Sequence, residues 1–277
     1  MFITLVLLFS IPLVQNKVGS YVTNSLNEDF GTNINIEKVG LKFNGDVSLK
    51  NIFIEDYKKD TLLIVKQLNT SVLSVNNILN NKLTFGDIAI EGLYLNIRTY
   101  QEERQTNLDV FVDKLDSEVP TSKSKTPFIL SSSNISIKES AFKLVDDNKQ
   151  ESNILNFSNL IINAQDFLIL GPKVNATITA FSFYDTRGVT IKNLVTDFSY
   201  SRSAMVFNDL SITTNASQIK GALTFQYERE DLQYFEDKVR ITASFDNSVI
   251  ALNELNTFYN EFGVDQVARV NVNLSGT

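Results

Sequence analysis

The chain has 277 residues, 43% of them hydrophobic, and a formal net charge of −7. It contains no Cys, no His and no Trp, which removes disulfides, thiol nucleophiles, Cys-based metal sites and the commonest general base. The acidic balance and the lack of any basic stripe argue against a nucleic-acid partner, because phosphate neutralisation needs clustered Lys and Arg.

The first element is an uncharged apolar run from Phe2 to Val14, in which Phe2, Leu5, Leu7, Leu8, Phe9, Ile11, Leu13 and Val14 form a candidate membrane anchor. As a helix it would span roughly 20 Å, short of the ~30 Å hydrocarbon core. A signal-peptide core is the competing reading, but no basic segment precedes the run and no small-x-small cleavage site follows it. Val18, Val22 and Leu26 then recur every fourth residue, so an amphipathic helix continues to about Glu28, with Gly31 as its stop. Residues 1–30 are therefore expected to be anchor and amphipathic helix.

From Ile34 the period changes to two, the signature of half-buried strands. Ile34/Ile36, Leu41/Phe43, Val47/Leu49, Leu93/Leu95/Ile97, Ile135/Ile137 and Thr177/Thr179/Phe181/Phe183 alternate with polar residues. Asn44-Gly45-Asp46, Asn80-Asn81, Asp146-Asp147-Asn148 and Thr186-Arg187-Gly188 read as turns. A short pattern, apolar-x-apolar-x-(Asn/Asp)-apolar-x-apolar, recurs at Val47–Ile54, Leu83–Ile90, Leu155–Ile162 and Met205–Ile212, with looser copies at Ile135–Phe142 and Val189–Val195. In each copy the apolar parity shifts by one residue at the Asn or Asp. A strand absorbs such a shift only through a bulge or corner, and Asn and Asp tolerate the backbone it needs. Corners of this kind are expected to put Leu49, Ile52, Ile54, Phe85, Ile88, Ile90, Phe157, Leu160, Phe207 and Leu210 on one continuous apolar face.

Two helices are expected to interrupt the strands. Asn107 would cap the first, which groups Leu108, Phe111, Val112 and Leu115; the second runs from Asn253 to Phe262. This gives a first β segment over 31–115, a flexible polar loop over 116–127 and a second β segment over 128–277. The second closes on the alternating run Val270–Leu274 and is expected to continue in a longer chain. Asp56–Asp60 and Asp146–Asn148 are the densest acidic clusters, but neither has the alternating ligands and closing Glu of a calcium loop, so both read as hairpin turns. No phosphate-cradling glycine loop is present, and no Ser has a His to activate it. The expectation is a protein without cofactor, metal or catalytic site. A β-rich adhesin held by its N-terminus is the alternative, although the regular repeats and Ser/Thr-rich stalks of adhesins are missing.

Taken together, several stretches resemble the N-terminal region of the TamB translocation and assembly module proteins of the AsmA-like superfamily. They are the apolar segment ending at Gln15, Phe30–Ile36, Val39–Phe43, Val47–Asp56, Asp60–Leu63, Asn107–Leu115 and Leu210–Tyr227. The resemblance implies a single-pass inner-membrane helix followed by an elongated, curled β-sheet in the periplasm, with an apolar groove and short helical insertions. It further implies a part in outer-membrane biogenesis, by phospholipid transport between membranes or by outer-membrane protein assembly and secretion. The implied partners are phospholipid acyl chains or nascent outer-membrane protein, and a BamA-like outer-membrane partner met through a C-terminal region that this sequence does not contain. The sequence also departs from the family in lacking basic residues before the anchor.

Overall fold

A computed structural model of the protein describes residues 12–41, 46–72, 82–115, 127–149, 153–228, 238–257, 263 and 266–276. Helix α1 (Pro12–Phe30) leads into strands β1 (Ile34–Leu41), β2 (Asp46–Glu55), β3 (Thr61–Val72) and β4 (Lys82–Thr99). Helix α2 (Asn107–Leu115) separates these from β5 (Ile129–Asp146), β6 (Asn153–Leu170), β7 (Lys173–Asp185), β8 (Thr190–Ile191), β9 (Asn193–Tyr200) and β10 (Ala204–Thr213). Strands β11 (Gln218–Gln226), β12 (Arg240–Ala251) and β13 (Val267–Gly276) complete the series, with a 3₁₀ turn at Leu252–Thr257 between the last two.

All thirteen strands among the described residues belong to one open sheet in near-sequential order, from β1 at one edge to β13 at the other, with β8 paired to β7. Every pair is antiparallel except β4–β5, which runs parallel from Lys82↔Ile129 to Thr99↔Asp146. That pair joins the stretches before and after α2 into a single sheet. Expectation and structure agree on a mainly β chain with few helices.

The expected N-terminal helix is seen from Pro12, and it ends at Gly31, whose φ of 66° gives the left-handed residue that helix C-termini favour. Phe2, Leu5, Leu7, Leu8, Phe9 and Ile11 lie outside the described residues, while Leu13 and Val14 fall in the first turn of α1. Among the described residues no helix is long and apolar enough to cross a membrane. Asn27 ties α1 to the sheet edge, donating to the Ile34 carbonyl and accepting from the Ile34 N–H at 2.8 Å.

The strands do not run straight. Left-handed backbone falls at Asn51 (φ 53°), Gly92 (67°), Glu139 (51°) and Asn159 (51°), and again at Asp166 (51°), Asp209 (49°), Gly221 (148°) and Asn247 (47°). The registers align these positions from strand to strand. Asn51 lies across β3 from Gly92, and Gly92 faces Glu139, with the ladder slipping between Ile137 and Ser140 beside Asn159. The second set passes through slips at Gln165/Leu168, Asn208/Ser211, Gln218/Gly221 and Phe245/Ser248. Two lines of corners therefore cross the sheet. Bulges bend strands, and bulges in register bend the whole sheet.

The expected corners at Asn51, Asn159 and Asp209 are thus present, but two copies of the pattern behave differently. Asp87 keeps ordinary φ, and its parity change is absorbed by a slip between Thr70 and Val72 in β3–β4. Val189–Val195 simply breaks at Lys192 into β8 and β9. The run Thr177/Thr179/Phe181/Phe183 also needs correction, because it is not one face. Thr179 is an extra residue between the pairs Ala164↔Ile178 and Asn163↔Ala180, so parity flips before Phe181. Of the expected second helix only the short 3₁₀ turn falls within the described residues, and Phe258–Phe262 lie outside them. Phe43, Gly45, Asn80, Asn81 and the loop residues 116–126 lie outside as well.

Candidate functional site: one apolar face across a bent sheet

How far the sheet bends can be measured against α2. The buried Asn107 at its start accepts from the Arg98 N–H at 2.8 Å, next to the end of β4. Leu115 at its finish accepts from the Phe128 N–H at 3.4 Å, next to the start of β5. Straight, the residue steps from Lys82 to Arg98 along β4 would cover about 53 Å. Through the helix, at 1.5 Å per residue plus side-chain reach, Arg98 and Phe128 stand within roughly 30 Å. A second contact agrees. Phe30, four residues before β1, meets the Phe128 ring edge-on at 5.7 Å, whereas a flat sheet would hold Ile34 and Phe128 more than about 40 Å apart. The strand ends have been folded toward each other.

Cross-strand partners share a face, so the registers show which residues line the two sides. One row reads Val39↔Leu49↔Leu68↔Ile90↔Ile137↔Ile162↔Phe181. The next reads Ile34↔Ile54↔Leu63↔Leu95↔Phe142↔Phe157. Toward the far edge, Phe198↔Phe207↔Leu223↔Ala243↔Leu274 continues the same side. Of the ten residues expected on the apolar face, Leu49, Ile54, Ile90, Phe157 and Phe207 stand in these rows, while Ile52 is paired with Ile36 and Val65, Ile88 with Ile135, Phe85 with Val72, Leu160 with Ser140 and Leu210 with Gly221. The opposite side carries mainly polar partners, such as Lys38↔Lys50, Asp87↔Asn134 and Asn163↔Ala180.

Burial divides the ten by their distance from a corner. Ile52, Ile88, Leu160 and Leu210 are buried, each directly after a corner or a ladder slip. Leu49, Ile54, Phe85, Ile90, Phe157 and Phe207 are half-buried. The physical reason is that a corner folds two limbs of strand around the side chain that follows it, while a limb residue has only same-face neighbours. Apart from the sheet, the described elements are α1, α2 and the 3₁₀ turn, so among the described residues no second sheet covers this face.

Several polar groups at the corners are satisfied locally, whereas the Thr70 hydroxyl at the β3–β4 slip is buried without a hydrogen-bond partner among the described residues. The Ser140 hydroxyl accepts from the Leu93 N–H at 3.0 Å and donates to the Lys138 carbonyl at 2.8 Å. Ser248 accepts from the Lys220 N–H at 2.9 Å, Thr196 donates to the Asn208 carbonyl at 2.7 Å, and Ser132 donates to the Asn134 carbonyl at 2.7 Å. The backbone groups named here therefore keep partners where the ladder is interrupted, and buried polar groups left without them would be costly.

Sequence reasoning expected Phe157 and Phe207 on the face but missed their aromatic partners Phe142, Phe183, Phe198 and Phe225. Phe157 stacks on Phe183 with centroids 4.0 Å apart and meets Phe142 at 5.4 Å, while Phe207 meets Phe198 at 5.1 Å and Phe225 at 6.1 Å. Counting in twos away from each corner would have found them.

The two acidic clusters are turns, as expected, but they are not isolated. The Asp56 carboxylate accepts from Tyr100 Oη at 2.6 Å, Asn107 Nδ2 at 3.0 Å and the Lys58 N–H at 2.8 Å. Burial alone would raise its pKa, yet those bonds and the Asp60 N–H outweigh burial and hold it below the ordinary 3.8. Burial and the neighbouring carboxylates push the Tyr57 and Tyr100 phenols up, and Tyr57 donates to Glu103. Arg98 bonds Asp147 at 2.7 Å and reaches Asp60 at 3.5 Å, which joins the two turns through the end of β4. Asn107 is occupied by this network and does not cap α2. The cap is Thr106, whose Oγ1 accepts from the Asp109 N–H at 3.0 Å while Asp109 accepts from the Thr106 N–H.

Among the described residues no group of three His, Cys, Asp or Glu is placed to hold a metal ion. No protein-family model matches the sequence, and no curated protein matches it. The apolar face itself is what can be read for function.

Proposed function

We propose that this protein is an inner-membrane-anchored periplasmic groove protein that carries phospholipid acyl chains between the membranes, in support of outer-membrane biogenesis. The observation that carries the reading is the single apolar face that persists from β1 to β13 while the sheet bends over it at two lines of corners. Among the described residues no second sheet lies against this face, and an apolar surface of that extent is unusual unless it meets something apolar. Each acyl CH₂ withdrawn from water contributes about 0.8 kcal/mol, so a continuous face lowers the barrier to lipid movement along it. The resemblance to TamB proteins points the same way and adds the single-pass anchor and a BamA-like outer-membrane partner to the proposal.

Acyl chains are favoured over nascent outer-membrane protein as the occupant. The ladders and corner hydroxyls already use the backbone groups of the inner strands, so a polypeptide lying on the face would find no partners for its own. The reading assigns no catalytic role. The test places photo-crosslinking residues at Phe157 and Phe207 on the apolar face and at Asn163 and Asp197 on the other. Phospholipid captured from cells at the first pair alone supports the proposal. Capture of polypeptide instead would favour protein assembly. No capture, or equal capture on both faces, would return the chain to the class of structural surface proteins.

A further inference from the structure

The hydroxyls at the corners share one habit, which is to donate to a backbone carbonyl: Ser140 to Lys138, Thr196 to Asn208, Ser132 to Asn134 and Ser248 to Lys220. Thr70, beside the β3–β4 slip, departs from it. Its hydroxyl is buried with no partner among the described residues, and only 7% of the residue is exposed. The register fixes which side it faces. Leu68 and Thr70 pair with Ile90 and Ile88 in one unbroken stretch of ladder, so Thr70 shares the apolar face with Leu68. Across the strands its row reads Val47↔Thr70↔Ile88↔Ile135↔Ala164, and the other four are buried apolar residues. A Val would fill nearly the same space in that row without burying an unpartnered hydroxyl, which is costly.

We propose that Thr70 is a lipid-binding residue of the apolar face, whose hydroxyl donates to the ester carbonyl at the head of an acyl chain. An ester carbonyl accepts and has nothing to donate, so it matches a hydroxyl that lacks an acceptor and brings no orphan group of its own. Rotation about χ1 exchanges the hydroxyl and the methyl on one Cβ, which turns the hydroxyl toward the face when a lipid lies on it. From Thr70 the chain runs over Leu68 and Ile90, half-buried residues of the neighbouring row about 7 Å along the strands. The apolar rows hold the hydrocarbon, and this one donor sets where along the face its ester end rests.

The assignment rests on the lipid reading above, and its test separates the two. The full chain, carrying a photo-crosslinker at Ile90, is mixed with vesicles of ester-linked phosphatidylethanolamine and phosphatidylglycerol, or of their dialkyl ether counterparts, which lack the carbonyls. The chain with Thr70 should capture the ester lipids about three- to tenfold more than the ether lipids. Thr70→Val should remove that preference, while Thr70→Ser, which keeps a hydroxyl, should retain it. The urea midpoint of Thr70→Val should be no lower than that of the original chain; a clear fall would show that the hydroxyl already serves the fold and would overturn the assignment. The comparison of the two lipids on the original chain needs no variant to fold. Equal capture of both lipids by that chain, a preference that survives in Thr70→Val, or one lost in Thr70→Ser as well, overturns the assignment and leaves the lipid reading standing. No capture of either lipid, at Ile90 or at Phe157, overturns both.

Discussion

Replacing Gly221 with Ala tests whether the corners hold the sheet in its bent shape. Gly221 has φ of 148° and sits on the second line of corners, between Leu210 of β10 and Phe245 of β12. A Cβ built there would lie 1.8 Å from the Ser244 carbonyl oxygen, 2.8 Å from its carbon and 3.0 Å from the Phe245 Cα. All three are backbone atoms, so no rotamer change relieves the clash. The strand must either leave this φ or move off β12. The first course carries a backbone cost of about 1–3 kcal/mol, and the second gives up ladder bonds worth about 0.5–1.5 kcal/mol each. The expected loss is therefore about 2–4 kcal/mol. Gly40→Ala is the control, since its φ is ordinary and its nearest contact is 3.6 Å, and it should stay within about 0.5 kcal/mol. Urea unfolding gives the two values, and hydrogen exchange should show faster opening of β11 and β12 in the Gly221 variant alone. Equal midpoints for the two variants would mean that β11 does not carry a close-approach corner, and the bend argued from it would fall.

Other expected outcomes follow from the same structure. Glu139→Gly should stabilise the sheet by about 0.5–1 kcal/mol, because it relieves a left-handed non-Gly residue, whereas Asn159→Ala should cost about 1 kcal/mol; urea midpoints decide both. Phe157→Asp should leave circular dichroism unchanged, because the position is half-buried, while abolishing lipid capture at Phe207, since charge facing hydrocarbon is strongly unfavourable. The Asp56 carboxylate is held below its ordinary 3.8, so its contribution is complete above that value and is lost as pH falls through the depressed folded value. Asp56→Asn should accordingly lower stability at pH 7 and flatten its decline below pH 4, measured by acid titration of the unfolding free energy. Asp147→Asn should cost more than a bare turn substitution, because it breaks the two bonds to Arg98.

Local sequence determined the strands, the side most of their residues face and several of the corners, although not the parity flip at Thr179. Period-two alternation states which side chains share a face, and a parity shift at Asn51, Asn159 or Asp209 states that the strand must turn there, with a residue that tolerates left-handed backbone. Those are short-range properties, and the expected apolar face was drawn from them. The corner at Glu139 was weakly signalled because Glu has no such preference and is held left-handed by its neighbours in the ladder. Tertiary structure alone decided the parallel β4–β5 pairing, the distance between strand ends that α2 spans, and the meeting of Asp56, Arg98 and Asp147. Each joins residues about 30 or more positions apart. Such contacts depend on which edges and turns the bent sheet brings together, and no local pattern of residues specifies that.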